Sequence, residues 1–265
     1  MATTDVDRLE ELPWQRDDDA PSRRTRPRRR RRGFVATFVG VVGELMITAG
    51  VLLGLFVVWQ LWWTDVEANN YQAEVLEEWR EKGEVIAAPP QEAEQRTDPP
   101  PLPAVGAEGE VMATLHIPRL GDYEETIAHG TGMADVLNKG YIGHYPETQL
   151  PGEVGNFATA AHRQSYGAPY REIEQIVEGD SLIVETTDAY LVYEVVDHEV
   201  VHPSQVEVIA PVPGEPGVAP TERMITLTTC HPLFSAAQRW ITYGEFQYWI
   251  DKNEGMPAEL LQEGR

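Results

Sequence analysis

Cysteine is almost missing from this chain: Cys230 is the only one in 265 residues. A lone thiol excludes an intramolecular disulfide. It leaves three readings: an intermolecular bridge, a reactive group, or an inert buried side chain acting as a small hydrophobe. Basic residues are scarce too. Beyond Trp63, eleven Lys and Arg face thirty-five Asp and Glu. So acidic an outer region excludes nucleic acid as a partner, because a phosphate backbone needs a basic surface. No cluster of His, Cys, Asp and Glu stands at a recognised metal-ligand spacing, so no metal or other cofactor is expected. Asp122, Glu124 and Glu125 read as solvated acids. There is no internal repeat.

What is present is strongly zoned. Residues 1–33 are polar, with ten Arg against seven acids in the first 32 positions, and read as a disordered cytoplasmic tail. The Arg run 28–32 abuts Phe34–Trp63, an apolar stretch whose single charge is Glu44. About 20 apolar residues cross a bilayer core, so residues 34–63 are expected to form one transmembrane helix. Trp59, Trp62 and Trp63 form an aromatic belt at its end. A cleaved signal peptide needs a shorter apolar region and a small-residue site, whereas this run ends in bulky Trp. Arginines before the span and acids after it place the N-terminus in the cytoplasm and the rest outside the cell, with membrane lipid as a partner of the anchor. Glu44 is expected near the interface or paired within an oligomer; a role inside the membrane is the alternative.

Residues 64–104 read as a stalk. Val66, Tyr71, Val75, Leu76 and Trp79 recur at helical spacing, with Thr64 or Asp65 as cap and Gly83 as stop. Ala87–Pro103 holds six prolines and reads as an extended spacer. From residue 105 to 250 the texture is that of a mainly β domain. Seven strands are expected: Val111–Ile117, Glu124–His129, Asn156–His162, Ser181–Glu185, Leu191–Val196, Arg223–Thr229 and Arg239–Tyr248. Turn signals at Gly121-Asp122, Pro151-Gly152, Gly179-Asp180 and Pro213-Gly214 separate them. That spacing implies a closed barrel or a sandwich. Residues 251–265 form a polar tail with no assigned role.

Met224–Thr229 alternates and is β-branched, so Cys230 is expected at a strand end, with His231-Pro232 stopping the strand. A strand end at a barrel mouth is open to substrate. The thiolate is the nucleophile, and an unperturbed Cys titrates near about 8.5, so a catalytic Cys needs a partner that manages protons. Seven histidines compete for that role. His231 is adjacent, but successive strand residues point to opposite faces. His162 ends its own strand and meets a polar loop, which suits a barrel mouth better. Arg239 opens the strand after Cys230, where its guanidinium can return beside the thiol and hold an oxyanion or a carboxylate.

The sequence "TLTTC" at Thr226–Cys230, an Arg nine residues later and an upstream strand-ending His resemble the sortase signature. With "IPRLG" at Ile117–Gly121, "GHYPETQLPGEVGNFATAAHR" at Gly143–Arg163, "YGAPY" at Tyr166–Tyr170 and "LTTCHP", the resemblance is to class E sortases of actinobacteria. It implies a mainly antiparallel, eight-stranded closed barrel behind one membrane anchor. It implies cysteine transpeptidation of a C-terminal L-P/A-x-T-G sorting signal on secreted proteins. Cys230 would be the nucleophile, His162 the proton carrier and Arg239 the oxyanion donor, with Thr229 as a substrate contact. A peptidoglycan-precursor amine would resolve the thioacyl intermediate. A pilin-polymerising enzyme would carry Asp-Pro-aromatic in a lid, but Pro100 follows Asp98-Pro99, and a second span is not expected after residue 250. An L,D-transpeptidase would show Ser-His-Gly-Cys. The remaining alternative is a membrane-tethered extracellular β-domain that binds wall or partner proteins without catalysis.

Overall fold

The computed structural model describes residues 33–82 and 85–261. The expected tail up to Arg32, the stop at Gly83 and the last four residues of the polar tail lie outside the described residues. The chain divides into two units, one reaching Leu52 and one starting at Leu53. Helix α1 (Phe34–Lys82) is long and apolar enough to cross a membrane, and Phe34, Val39, Leu45 and Ile47 are exposed along it. It departs from the expected division at residue 63. Thr64 and Asp65 lie inside the helix instead of capping a second one. From Leu55 to Lys82 there is no Gly or Pro, so nothing interrupts the hydrogen-bond ladder.

The second unit is a closed barrel of eight strands: β1 (Val111–His116), β2 (Glu124–His129), β3 (Ile142–His144), β4 (Gly155–Ala160), β5 (Ser181–Glu185), β6 (Ala189–Val201), β7 (Arg223–His231) and β8 (Gln238–Asp251). Around the wall the order is β1-β2-β3-β4-β7-β8-β6-β5. Pairing is antiparallel except for β2–β3 and β4–β7, which run parallel. Alternate positions point inward, and Leu115, Ile127, Phe157, Leu182, Leu191, Ile225 and Leu227 are fully or almost fully buried in one core with Tyr170 and Tyr193. Each such side chain contributes about 1.5–3 kcal/mol by leaving water. Seven strands overlap the expected segments. The eighth, β3, is three residues around Gly143, too short to show a period.

Two segments, read from the sequence as an extended spacer and as a polar tail without a role, are straps on this barrel. In the proline-rich stalk, Arg96 keeps the N–H that the prolines of the segment lack. It exchanges backbone hydrogen bonds with Trp249 at 2.9 and 2.8 Å, and its guanidinium lies 5.0 Å from the Trp249 ring. Pro100 and Pro103 are buried. The segment read as a spacer thus lies along the end of β8. In the C-terminal segment, Lys252 is fully buried and its Nζ donates to Glu185 Oε1 at 2.6 Å and to the Thr186 carbonyl at 3.2 Å. Beyond it, Met256 N bonds the Gln91 carbonyl at 2.9 Å, which joins the two straps. The polar tail therefore carries part of the fold.

Candidate active site

The site is built by the neighbours of β7. On one side β4 runs parallel to it, in register up to Ala160 opposite Thr228. Two further bonds hold the strands together past that point: Ala161 N to the Thr228 carbonyl at 3.2 Å, and Thr229 Oγ1 to the Ala161 carbonyl at 2.7 Å. One step beyond those bonds on the two strands stand His162 and Cys230. On the other side β8 runs antiparallel, and Arg239 is the direct cross-strand partner of Cys230. The thiol residue is thus flanked by a histidine-bearing strand exit and an arginine-bearing strand. β7 runs two residues further than the expected Arg223–Thr229, through His231.

This arrangement agrees with what the chain resembles in known proteins. The Sortase domain family matches residues 115–247. Sortase SrtE2 of Streptomyces coelicolor is 35% identical over 89% of this chain and 93% of its own length. Sortase SrtE1 of the same organism is 36% identical over 90% of this chain, which spans 65% of that relative. Among solved structures, the SrtA sortase of Actinomyces oris is 44% identical over 63% of this chain and 96% of its own, with a TM-score of 0.59. Sortase E1 of S. coelicolor, solved with a tripeptide in its active site, is 40% identical over 57% and 97%, with a TM-score of 0.54.

The chain belongs to the class E sortases. In this sortase the surroundings of His162 are set by Asn138, which its sequence did not single out, and by Tyr166 of the YGAPY segment. His162 Nε2 lies 2.9 Å from Asn138 Oδ1. An amide oxygen only accepts, so Nε2 carries the hydrogen and Nδ1 is the ring's acceptor. Tyr166 stacks on the imidazole, 5.3 Å between centroids. Burial lowers the His162 pKa below the ordinary histidine value, which keeps the free ring neutral near pH 7. Asn138 carries no signal of its own, being 24 residues upstream in a short loop.

His231 is engaged elsewhere. Its Nδ1 is 3.1 Å from Arg163 Nη1 and 3.0 Å from Glu174 Oε1, and its ring lies 5.6 Å from that of Trp240. Arg163 is itself buried, pairs with Glu174 at 2.8 Å and donates from Nη1 to the Cys230 carbonyl at 3.3 Å. It therefore braces the backbone of the thiol residue. Its signal was its place directly after His162.

Thr229, expected as a substrate contact, is 3% exposed with its hydroxyl bonded to Ala161. In this conformation it pins β4 to β7 and presents no donor to a ligand. Arg239 directs Nη1 at the carbonyls of Ala236 (3.2 Å) and Gln238 (2.9 Å), which leaves the N–H groups of Nε and Nη2 as donors. Among the described residues one acid–histidine cluster has metal-ligand proximity: ligand atoms of His116, Glu124 and Glu185 lie within 4.8 Å of one another. Each carboxylate already has a cation, Arg80 on Glu124 and Lys252 on Glu185. That donor set suits an ion network, buried at Glu185–Lys252 and exposed at Arg80–Glu124, because a bound metal would be repelled by both cations.

Proposed function

We propose that this sortase cleaves a C-terminal L-P/A-x-T-G sorting signal between Thr and Gly and joins the Thr carbonyl to a cell-wall-precursor amine. The supporting observation is the placement of Cys230 between the β4 exit that bears His162 and its cross-strand partner Arg239. Cys230 Sγ attacks the Thr carbonyl carbon, and the developing oxyanion takes hydrogen bonds from Arg239. His162 takes the thiol proton as Sγ attacks and delivers it to the leaving Gly amine, which departs and leaves a thioacyl enzyme. An incoming amine reverses the geometry: its nitrogen attacks the thioester, His162 accepts its proton, and the thiol is restored. Without an amine, water takes its place and the outcome is hydrolysis. The apolar part of α1 anchors the enzyme, with residues 1–33 cytoplasmic and the barrel outside the cell.

Intact-mass measurement after exposure to a thiol-reactive analogue of the sorting signal tests this reading. An adduct on Cys230, absent from Cys230→Ala, is expected. A folded domain that acquires no adduct would support the non-catalytic binding module instead.

A further inference from the structure

The part of α1 that follows the tryptophan belt is fastened to the barrel. Gln72 is buried; its Nε2 donates to the Gly140 carbonyl, and its Oε1 accepts from Thr126 N at 3.4 Å. Val75 packs against Ala128, Val136 and Tyr141. Asp65 accepts from Gly167 N at 3.2 Å and from Arg171 at 2.8 Å, and Arg80 pairs with Glu124. The helix is thereby held beside the two loops that surround His162.

Between helix and loops lies a cleft of about 410 Å³, lined by Thr64, Glu67, Tyr71, Asn138, Lys139 and Tyr166. Two of these residues touch His162: Asn138 through its hydrogen bond and Tyr166 through ring stacking. Two others bear opposite charge. Lys139 Nζ lies over the Tyr71 ring at 5.9 Å, and the exposed Glu67 carboxylate makes no hydrogen bond or ion pair among the described residues. The bond from Asn138 and the stacked ring bring the cleft to the histidine that must take a proton from an incoming amine. The cleft also begins at Thr64, directly after Trp63, where an amphipathic aromatic belt marks the bilayer interface.

We propose that this cleft binds the acceptor substrate, an amine with a neighbouring anionic group, presented from the membrane surface. This rests on the transpeptidase reading above. Glu67 receives the ammonium and Lys139 the anion. The ammonium loses one proton to water, and its nitrogen attacks the thioester carbon. The C–N bond forms as the C–S bond breaks, and the nitrogen's second proton passes to His162 and on to the departing sulfur. Helix α1 would thus supply one wall of the acceptor site as well as the anchor.

The test uses the full chain in lipid nanodiscs, acylated with a sorting-signal peptide and challenged with glycylglycine or glycylglycinamide. A charge-assisted contact corresponds to a change of about tenfold or more in binding. Glu67→Gln should raise KM for both amines by about that factor and shift the product ratio toward hydrolysis. Lys139→Met should remove the wild-type preference for the carboxylate-bearing amine. Release of the Gly-bearing fragment, the first step, should proceed as in the wild type. An unchanged ratio of amine transfer to hydrolysis in both variants, with acylation intact, overturns this inference alone. A wild-type enzyme that never acylates overturns the transpeptidase reading, and this inference falls with it.

Discussion

Cys230 and Arg239 face each other across the β7–β8 ladder. A cross-strand pair fixes separation and orientation far better than a loop does, because both backbones are held by neighbouring ladder bonds. The next pairs, Thr229 with Trp240 and Thr228 with Ile241, extend that ladder inward. A guanidinium in this position can hold an oxyanion formed at Cys230 in the proposed reaction without a change in the barrel.

Replacing Arg239 with Lys should leave the fold intact and cut turnover severely. An ammonium is a point donor and lacks the planar fork. Loss of one preorganised oxyanion donor typically costs about 10²–10³ in rate. Steady-state cleavage of a sorting-signal peptide, with circular dichroism as the folding control, gives the answer. Near-normal turnover would remove Arg239 from the site.

The buried pair Glu185–Lys252 should be a stability determinant that the catalytic residues are not. Burial alone would raise the Glu185 carboxyl, but the His116 hydrogen bond and the Lys252 charge outweigh it and hold the pKa at about 2. A depressed carboxylate stabilises the fold above its unfolded value and loses that contribution as pH falls toward the folded one. Thermal stability should therefore drop between about pH 4.5 and pH 2, and Glu185→Gln should flatten that slope. Lys252→Met leaves the carboxylate buried without its cation, and breaking a buried pair from one side costs about 3–5 kcal/mol. Denaturant unfolding of Lys252→Met with no loss of stability would show the pair to be dispensable.

Much of this was legible in the sequence, for identifiable reasons. Strands such as Ser181–Glu185 announce themselves by β-branched alternation between turn residues, and Cys230, His162 and Arg239 stood out as candidates because each stands at or near a strand end. Three features were not legible. Strand β3 has too few residues for a period. Asn138 reaches His162 only through the fold. The proline-rich segment showed its composition but not its docking, because the bond that holds Arg96 to Trp249 is made by backbone atoms that every residue possesses. Thr229 is a different case. Its neighbourhood pointed to substrate, while its hydroxyl is spent on Ala161.

The expected topology can be checked in cells. Ten arginines precede the apolar span, and the segment beyond it carries thirty-five acids. By the positive-inside bias the barrel should be extracellular. Protease added to intact, wall-stripped cells should digest the barrel and spare an epitope placed in residues 1–32. A protected barrel would reverse the orientation and make a wall-directed reaction untenable.

The decisive assignment is His162 over His231. His162 follows β4 out of the wall beside Cys230, held by Asn138 and Tyr166. His231 adjoins Cys230 in sequence, yet its Nδ1 is taken up by Arg163 and Glu174. General acid–base help is typically worth about 10²–10⁴. His162→Ala should lose rate on that scale in acylation and in amine transfer, since one proton carrier serves both steps. His231→Ala should lose far less, through looser bracing of the Arg163–Glu174 pair. The pH dependence adds an independent sign. Burial lowers the His162 pKa, and in the proposed reaction the neutral ring is the base for hydrolysis of the acyl enzyme. The rising limb of that hydrolysis should thus have its midpoint below the roughly 6.5 of an unperturbed histidine, and His162→Ala should abolish the limb. Single-turnover kinetics on both variants between pH 4 and 8 decide the matter. If His231→Ala stops acylation while His162→Ala retains it, the proton carrier has been placed on the wrong strand.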